Sequence, residues 1–229
     1  MRFSIKISTF FVLSALIISP AFADSTENKC MKLYLNNPPE VNIVYNYGRL
    51  KFDNSKNSTE LGEIYKAVNS GKTSPNIHGL TDLEPSITTG IILTASLIDG
   101  ENYCFYPQKI NIKMWYNPTI YVVNSLEPGS CRFNTTIRHE QTHLDLAHHA
   151  LYVLAKSLRN SVPEILSEVS PVVADSSFDG EKITKEMTDA YHEKIKVYFD
   201  EFKKSTEKYN SIIDSPENYI FETGLCLNK

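Results

Sequence analysis

One segment constrains this chain more than any other. It runs from Ile137 to Leu158 and centres on His139-Glu140-Gln141-Thr142-His143. Residues four apart share a face of an α-helix. At about 100° per residue, Ile137, Leu144, Ala147, Leu151, Leu154, Ala155 and Leu158 fall on one apolar stripe. Arg138, Gln141, Asp145, Tyr152, Lys156 and Arg159 fall opposite, as a solvated face should. His139 and His143 lie toward the buried side, and Glu140 lies at its edge. Asn134-Thr135-Thr136 offers side-chain oxygens for an N-cap. Two inward imidazoles one turn apart, with a carboxylate beside them, are the donor set of a catalytic zinc helix. His139 and His143 are the expected Zn²⁺ ligands, and Glu140 is the expected general base.

The rest of the chain reads as strands first and helices second, which is an α+β arrangement. Met31 to Asp53 reads as extended, with Val41 to Tyr47 β-branched and aromatic. Ser58 or Thr59 can cap a short helix, Glu60 to Asn69. Ile87 to Ile98 is a strand closed by Asp99-Gly100. In Lys109 to Val123, the apolar residues Ile110, Ile112, Met114 and Tyr116 alternate with polar ones. After Leu158 the spacing predicts a turn over Asn160 to Pro163 and a short helix from Glu164 to Val169. Glu181 to about Ile213 is a long amphipathic helix, stopped by Pro216. Tyr219 to Cys226 is apolar enough to pack back.

The N-terminus has its own signature. Arg2 and Lys6 precede an apolar run, Ile7 to Ile18, and Ala21-Phe22-Ala23 is a small-residue cleavage site. Residues 1–23 are therefore expected to be a secretory signal peptide, and 24–229 a single periplasmic or secreted domain. Cleavage removes two of 23 cations and none of 27 acids, moving the net charge from −4 to −6. No basic block remains, which argues against a nucleic-acid partner. No other run is long enough to span a bilayer once the signal peptide is gone. Four cysteines, Cys30, Cys104, Cys131 and Cys226, suit two disulfides in an oxidising compartment. Of the three connectivities, Cys104–Cys131 and Cys30–Cys226 are favoured, the first bracing the strands before the His139 helix and the second tying the ends together.

Catalytic zinc needs a third protein ligand. His149 has suitable sequence spacing, but Leu146 stands where a helix-breaking glycine would be required, so a continuing helix turns His149 toward solvent. Glu164, Glu168, His192, Glu193 and Asp214 are further candidates by residue type alone.

The segment Arg138-His139-Glu140-Gln141-Thr142-His143-Leu144-Asp145-Leu146-Ala147 resembles zincin-type metalloproteases. It is most similar to an exported bacterial family of zinc-dependent proteases that is still a domain of unknown function. Cys104, the strands Lys109 to Val123 and the His139 helix follow that family's order. Its late Tyr-Asp-x-x-Thr-x-His-Gly signature corresponds here to Tyr209-Asn210-Ser211-Ile212-Ile213-Asp214-Ser215, where only the tyrosine is in register and the histidine is missing. The resemblance implies a zinc peptidase acting on a peptide, a protein or cell-wall cross-links. It also implies extended substrate held against a strand edge, for which Lys109 to Tyr116 is the candidate. The alternative is a non-enzymatic envelope binding protein with a structural or degenerate metal site.

Overall fold

A computed structural model describes residues 25–68 and 77–227. The expected signal peptide, residues 1–23, lies outside them. In chain order the elements are α1 (Thr26–Asn36), β1 (Glu40–Asn46), β2 (Lys51–Asp53), α2 (Ser58–Val68), β3 (Gly79–Asp82), β4 (Ser86–Leu97), β5 (Asn102–Trp115), β6 (Thr119–Val122), α3 (Cys131–Glu168), β7 (Val172–Asp175), α4 (Gly180–Ile213) and α5 (Pro216–Gly224). The fold is α+β, as the order of patterns predicts. Among the described residues, no helix is long and apolar enough to cross a membrane.

β5 is the centre of the larger sheet. Its inward residues Ile110, Ile112 and Met114 are buried, matching their period of two. β4 pairs antiparallel along one side of β5. The other side is taken by β1, parallel to Lys109–Trp115, and by β7, antiparallel to Asn102–Phe105. Lys109 to Trp115 is thus an interior strand, and it cannot offer the free edge expected of it. The smaller sheet has the order β2-β6-β3, which leaves β3 at an edge.

α3 crosses both sheets and packs against α4. Its apolar stripe, Leu144, Ala147, Leu151, Leu154, Ala155 and Leu158, is buried in the main core with Ile183, Met187, Tyr191 and Ile195 of α4. The helix starts earlier than expected, because Ser130 is the N-cap and its hydroxyl accepts from the Phe133 N–H. Asn134 to Thr136 lie inside the first turns. It also continues through Asn160 to Pro163, where a turn was expected, and the helix expected from Glu164 is its last part, ending at Glu168. A mid-helix proline costs about 3 kcal/mol. Leu158 and Ile165 on either side are buried, at roughly 1.5–3 kcal/mol each, which offsets it.

Two further expectations are corrected. Met31 to Asn36 is not extended but belongs to α1, which buries Cys30 and Tyr34 one turn apart. The disulfides are Cys30–Cys104 and Cys131–Cys226, not the favoured pairs. α1 lies against β5 and brings the Cys30 Cα within 5.2 Å of that of Cys104. α5 returns to the start of α3 and brings the Cys226 Cα within 5.6 Å of that of Cys131. Both separations fall in the bonding range.

Candidate metal centre

Three side chains from two helices converge on one point. His139 and His143, an i, i+4 pair on the core-facing side of α3, are 4% and 7% exposed. Their Nε2 atoms lie 3.2 Å apart. Asp214, the C-cap residue of α4, places Oδ1 3.1 Å from His139 Nε2 and 3.0 Å from His143 Nε2. A tetrahedral zinc with ligand bonds of 2.0–2.1 Å separates its donors by about 3.3–3.4 Å. The observed triangle is within a few tenths of an ångström of that, and its donors are two imidazole nitrogens and a carboxylate oxygen. These groups can hold a metal ion.

The outer atoms of the same rings are also fixed. His139 Nδ1 lies 2.9 Å from Glu222 Oε2, and His143 Nδ1 lies 3.0 Å from Asn210 Oδ1. Both partners can accept, so if the Nε2 atoms were given to a metal each ring would keep its proton on Nδ1. Asn210 sits one helical turn before Asp214 on α4. Tyr219 of α5 stacks on the His139 ring at 5.0 Å and donates its hydroxyl to Asp214 Oδ1 at 3.2 Å.

The charge state of the cluster follows from burial and neighbours. Burial disfavours the imidazolium of His143, but the bond to Asp214 and the nearby Glu140 and Asn210 outweigh it, pushing the pKa up to about 9. His139 is raised too: burial opposes the charge, while Asp214, Glu140 and Glu222 favour it more strongly. Burial would raise Asp214, but its bonds to both histidines hold its carboxyl well below the usual range. Without metal the cluster therefore holds protons where an ion would sit, and metal must displace them.

Glu140 is buried at the interface of α3 and β3. Thr81 Oγ1 lies 2.8 Å from Glu140 Oε2 and 2.9 Å from the Glu140 carbonyl oxygen. Gly79 faces the same carboxyl so closely that a Cβ there would come within 2.5 Å of Oε1 and 2.6 Å of Thr136 Cγ2. Only glycine allows this approach. Burial raises the Glu140 pKa, opposed by the two histidines and Thr81.

The cluster opens into a cavity of about 500 Å³, walled by α3, by β3 residues Gly79 to Thr81, and by Tyr219 and Glu222 of α5. Arg132 and His78 also line it.

Of the residues singled out in the sequence, His139, Glu140 and His143 lie together in this cavity. Asp214 joins them, and Glu164, Glu168, His192 and Glu193 do not line it. His192 instead meets Thr89 Oγ1 through Nδ1 at 3.2 Å. His149 is exposed on the far side of α3. His148 stacks on Tyr116 and packs at a tilt against Tyr47. Sequence reasoning did not single out Gly79, Thr81, Tyr219 or Glu222, all of which lie far from the motif in the chain. No family model, curated protein or solved structure significantly matches the chain.

Proposed function

We propose that the chain is an exported zinc-dependent hydrolase of the zincin type, most simply a peptidase. The carrying observation is the convergence of His139 Nε2, His143 Nε2 and Asp214 Oδ1 at tetrahedral spacing, with Glu140 beside them in an open cavity. The ligands would be His139, His143 and Asp214, with the remaining position facing the cavity. When bound, zinc supplies a Lewis acid that polarises a carbonyl and acidifies water.

This chain's own residues do the rest. Glu140 takes a proton from the attacking water and hands it to the leaving amine. Its burial favours holding that proton between the two transfers. Thr81 and Gly79 fix where the carboxyl sits. Glu222 and Asn210 keep both imidazoles in the tautomer that presents Nε2.

Extended substrate would lie along β3, not β5. β3 pairs only with β6 among the described strands, and Gly79 to Thr81 line the cavity. His78 O accepts from Val123 N. By the alternation of an antiparallel ladder, the peptide groups of Gly79 and Thr81 then point to the open edge. Two disulfides support an exported, periplasmic or secreted setting.

The test is hydrolysis of unfolded protein and of isolated cell-wall peptide by zinc-loaded protein, beside Glu140→Gln. Cleavage of either substrate that falls about 10²–10⁴-fold in Glu140→Gln at unchanged zinc content supports the reading. Equal turnover by Glu140→Gln refutes the assignment. Metal held without any hydrolysis favours the envelope binding protein instead.

A further inference from the structure

α5 is an arm with little to hold it. None of its nine residues is buried, and Ile220 and Phe221 are 74% and 66% exposed. A helix of this length is not stable alone in water, and no apolar face of α5 docks into the core. Its two ends are nonetheless tied. The N-terminal end follows directly from Asp214 and Ser215, and the C-terminal end runs into Cys226, bonded to Cys131 in the first turn of α3. Between these ties the arm presents Tyr219 to the face of the His139 ring and Glu222 to its Nδ1. Glu222 is four residues, about one helical turn, before the bonded cysteine.

Resting on the metal-centre reading above, we propose that the Cys131–Cys226 disulfide sets the metal affinity of the centre by holding Glu222, a positioning residue, on His139. With the bond open, α5 loses its cross-link to the start of α3. Glu222 then leaves Nδ1, and His139 is free to change tautomer and turn. The chain would bind metal weakly as a dithiol and tightly once oxidised, so loading follows export. The closing step is thiol–disulfide exchange with a disulfide acceptor. The Cys131 and Cys226 thiols become one S–S bond, while the acceptor takes two electrons and two protons and leaves as two thiols.

The experiment measures Zn²⁺ affinity of the mature chain by competition with a chromophoric chelator. It compares the parent, Glu222→Ala, the pair Cys131→Ser/Cys226→Ser, and all three substitutions together. Losing an outer-shell partner of a ligand histidine weakens metal binding by about 10–100-fold. That loss is expected in Glu222→Ala and in the serine pair. The triple variant should be no weaker than the worse of them, within about threefold, because both act through one contact. Parental affinity in the serine pair, or losses that multiply in the triple variant, would overturn the proposal. Glu222→Ala keeps the disulfide and does not depend on the serine pair folding; parental affinity in that variant alone also overturns it. A parent that binds no zinc overturns the metal-centre reading itself, which separates the two failures.

Discussion

Replacing Gly79 with alanine tests how closely β3 is built around Glu140, the proposed general base. The new Cβ would stand 2.5 Å from Glu140 Oε1, 2.6 Å from Thr136 Cγ2 and 2.9 Å from Glu140 Cγ. Ordinary contact begins near 3.4 Å, so the Glu140 carboxyl or the strand must shift by close to 1 Å. Glu140 Oε2 is tied to Thr81, so moving the carboxyl to relieve the clash strains or breaks that bond. Overpacking of this kind costs about 1–3 kcal/mol of stability. A misplacement of about 1 Å at a reacting group costs on the order of 10²-fold in rate. None of the three proposed metal ligands, His139, His143 and Asp214, is among the groups nearest the new Cβ, so metal content should be unchanged. The assay is kcat/KM on the substrate that the parent cleaves, with zinc measured on the same samples. A fall of about 10²-fold at full metal loading is expected. Parental turnover by Gly79→Ala would refute the argument that Gly79 exists to seat Glu140.

Further outcomes follow from the same geometry. Asp214→Ala removes the only carboxylate of the donor triangle, so zinc retention through dialysis should be lost while the helical circular dichroism signal persists; full retention would exclude Asp214 as a ligand. Zinc affinity should rise with pH between about 6.5 and 9, by up to about one log unit per pH unit for each proton displaced, because His143 titrates at about 9 without metal. The raised His143 pKa stabilises the metal-free fold fully below its unfolded value of about 6.5, and that contribution fades as pH climbs to about 9. The gain in Tm on adding zinc should therefore grow over this interval, and a flat or falling gain would contradict the proton inventory. The Tyr116 hydroxyl is buried with no hydrogen-bond partner among the described residues, so Tyr116→Phe should leave thermal stability unchanged or raise it by about 1 kcal/mol. A clear loss of stability would show that the hydroxyl is satisfied.

What the sequence made legible was local. The stripe from Leu144 to Leu158 and the inward His139–His143 pair depend only on helical spacing, and both lie as expected. The alternation of Ile110, Ile112 and Met114 likewise marked a strand. It could not tell an interior strand from an edge, because that depends on β1 and β7, more than fifty residues away on either side. Asp214 was visible only as one acid among several. Its place beside the two histidines follows from where α4 ends, 71 residues after His143. The disulfides were misassigned for a related reason. α1 carries just two inward residues, Cys30 and Tyr34, and α5 buries none, so neither helix announces where it docks. Glu222 and Tyr219 reach the centre through that same unannounced arm.

The central claim is a divalent metal held by His139, His143 and Asp214. It is tested most directly by an anomalous difference map, recorded at the zinc absorption edge, from crystals of chelator-free protein grown with zinc. The account predicts one peak per chain, about 2.0–2.2 Å from both Nε2 atoms and a carboxylate oxygen of Asp214. A map with no peak there, and the two imidazoles still bonded to Asp214 alone, would contradict it.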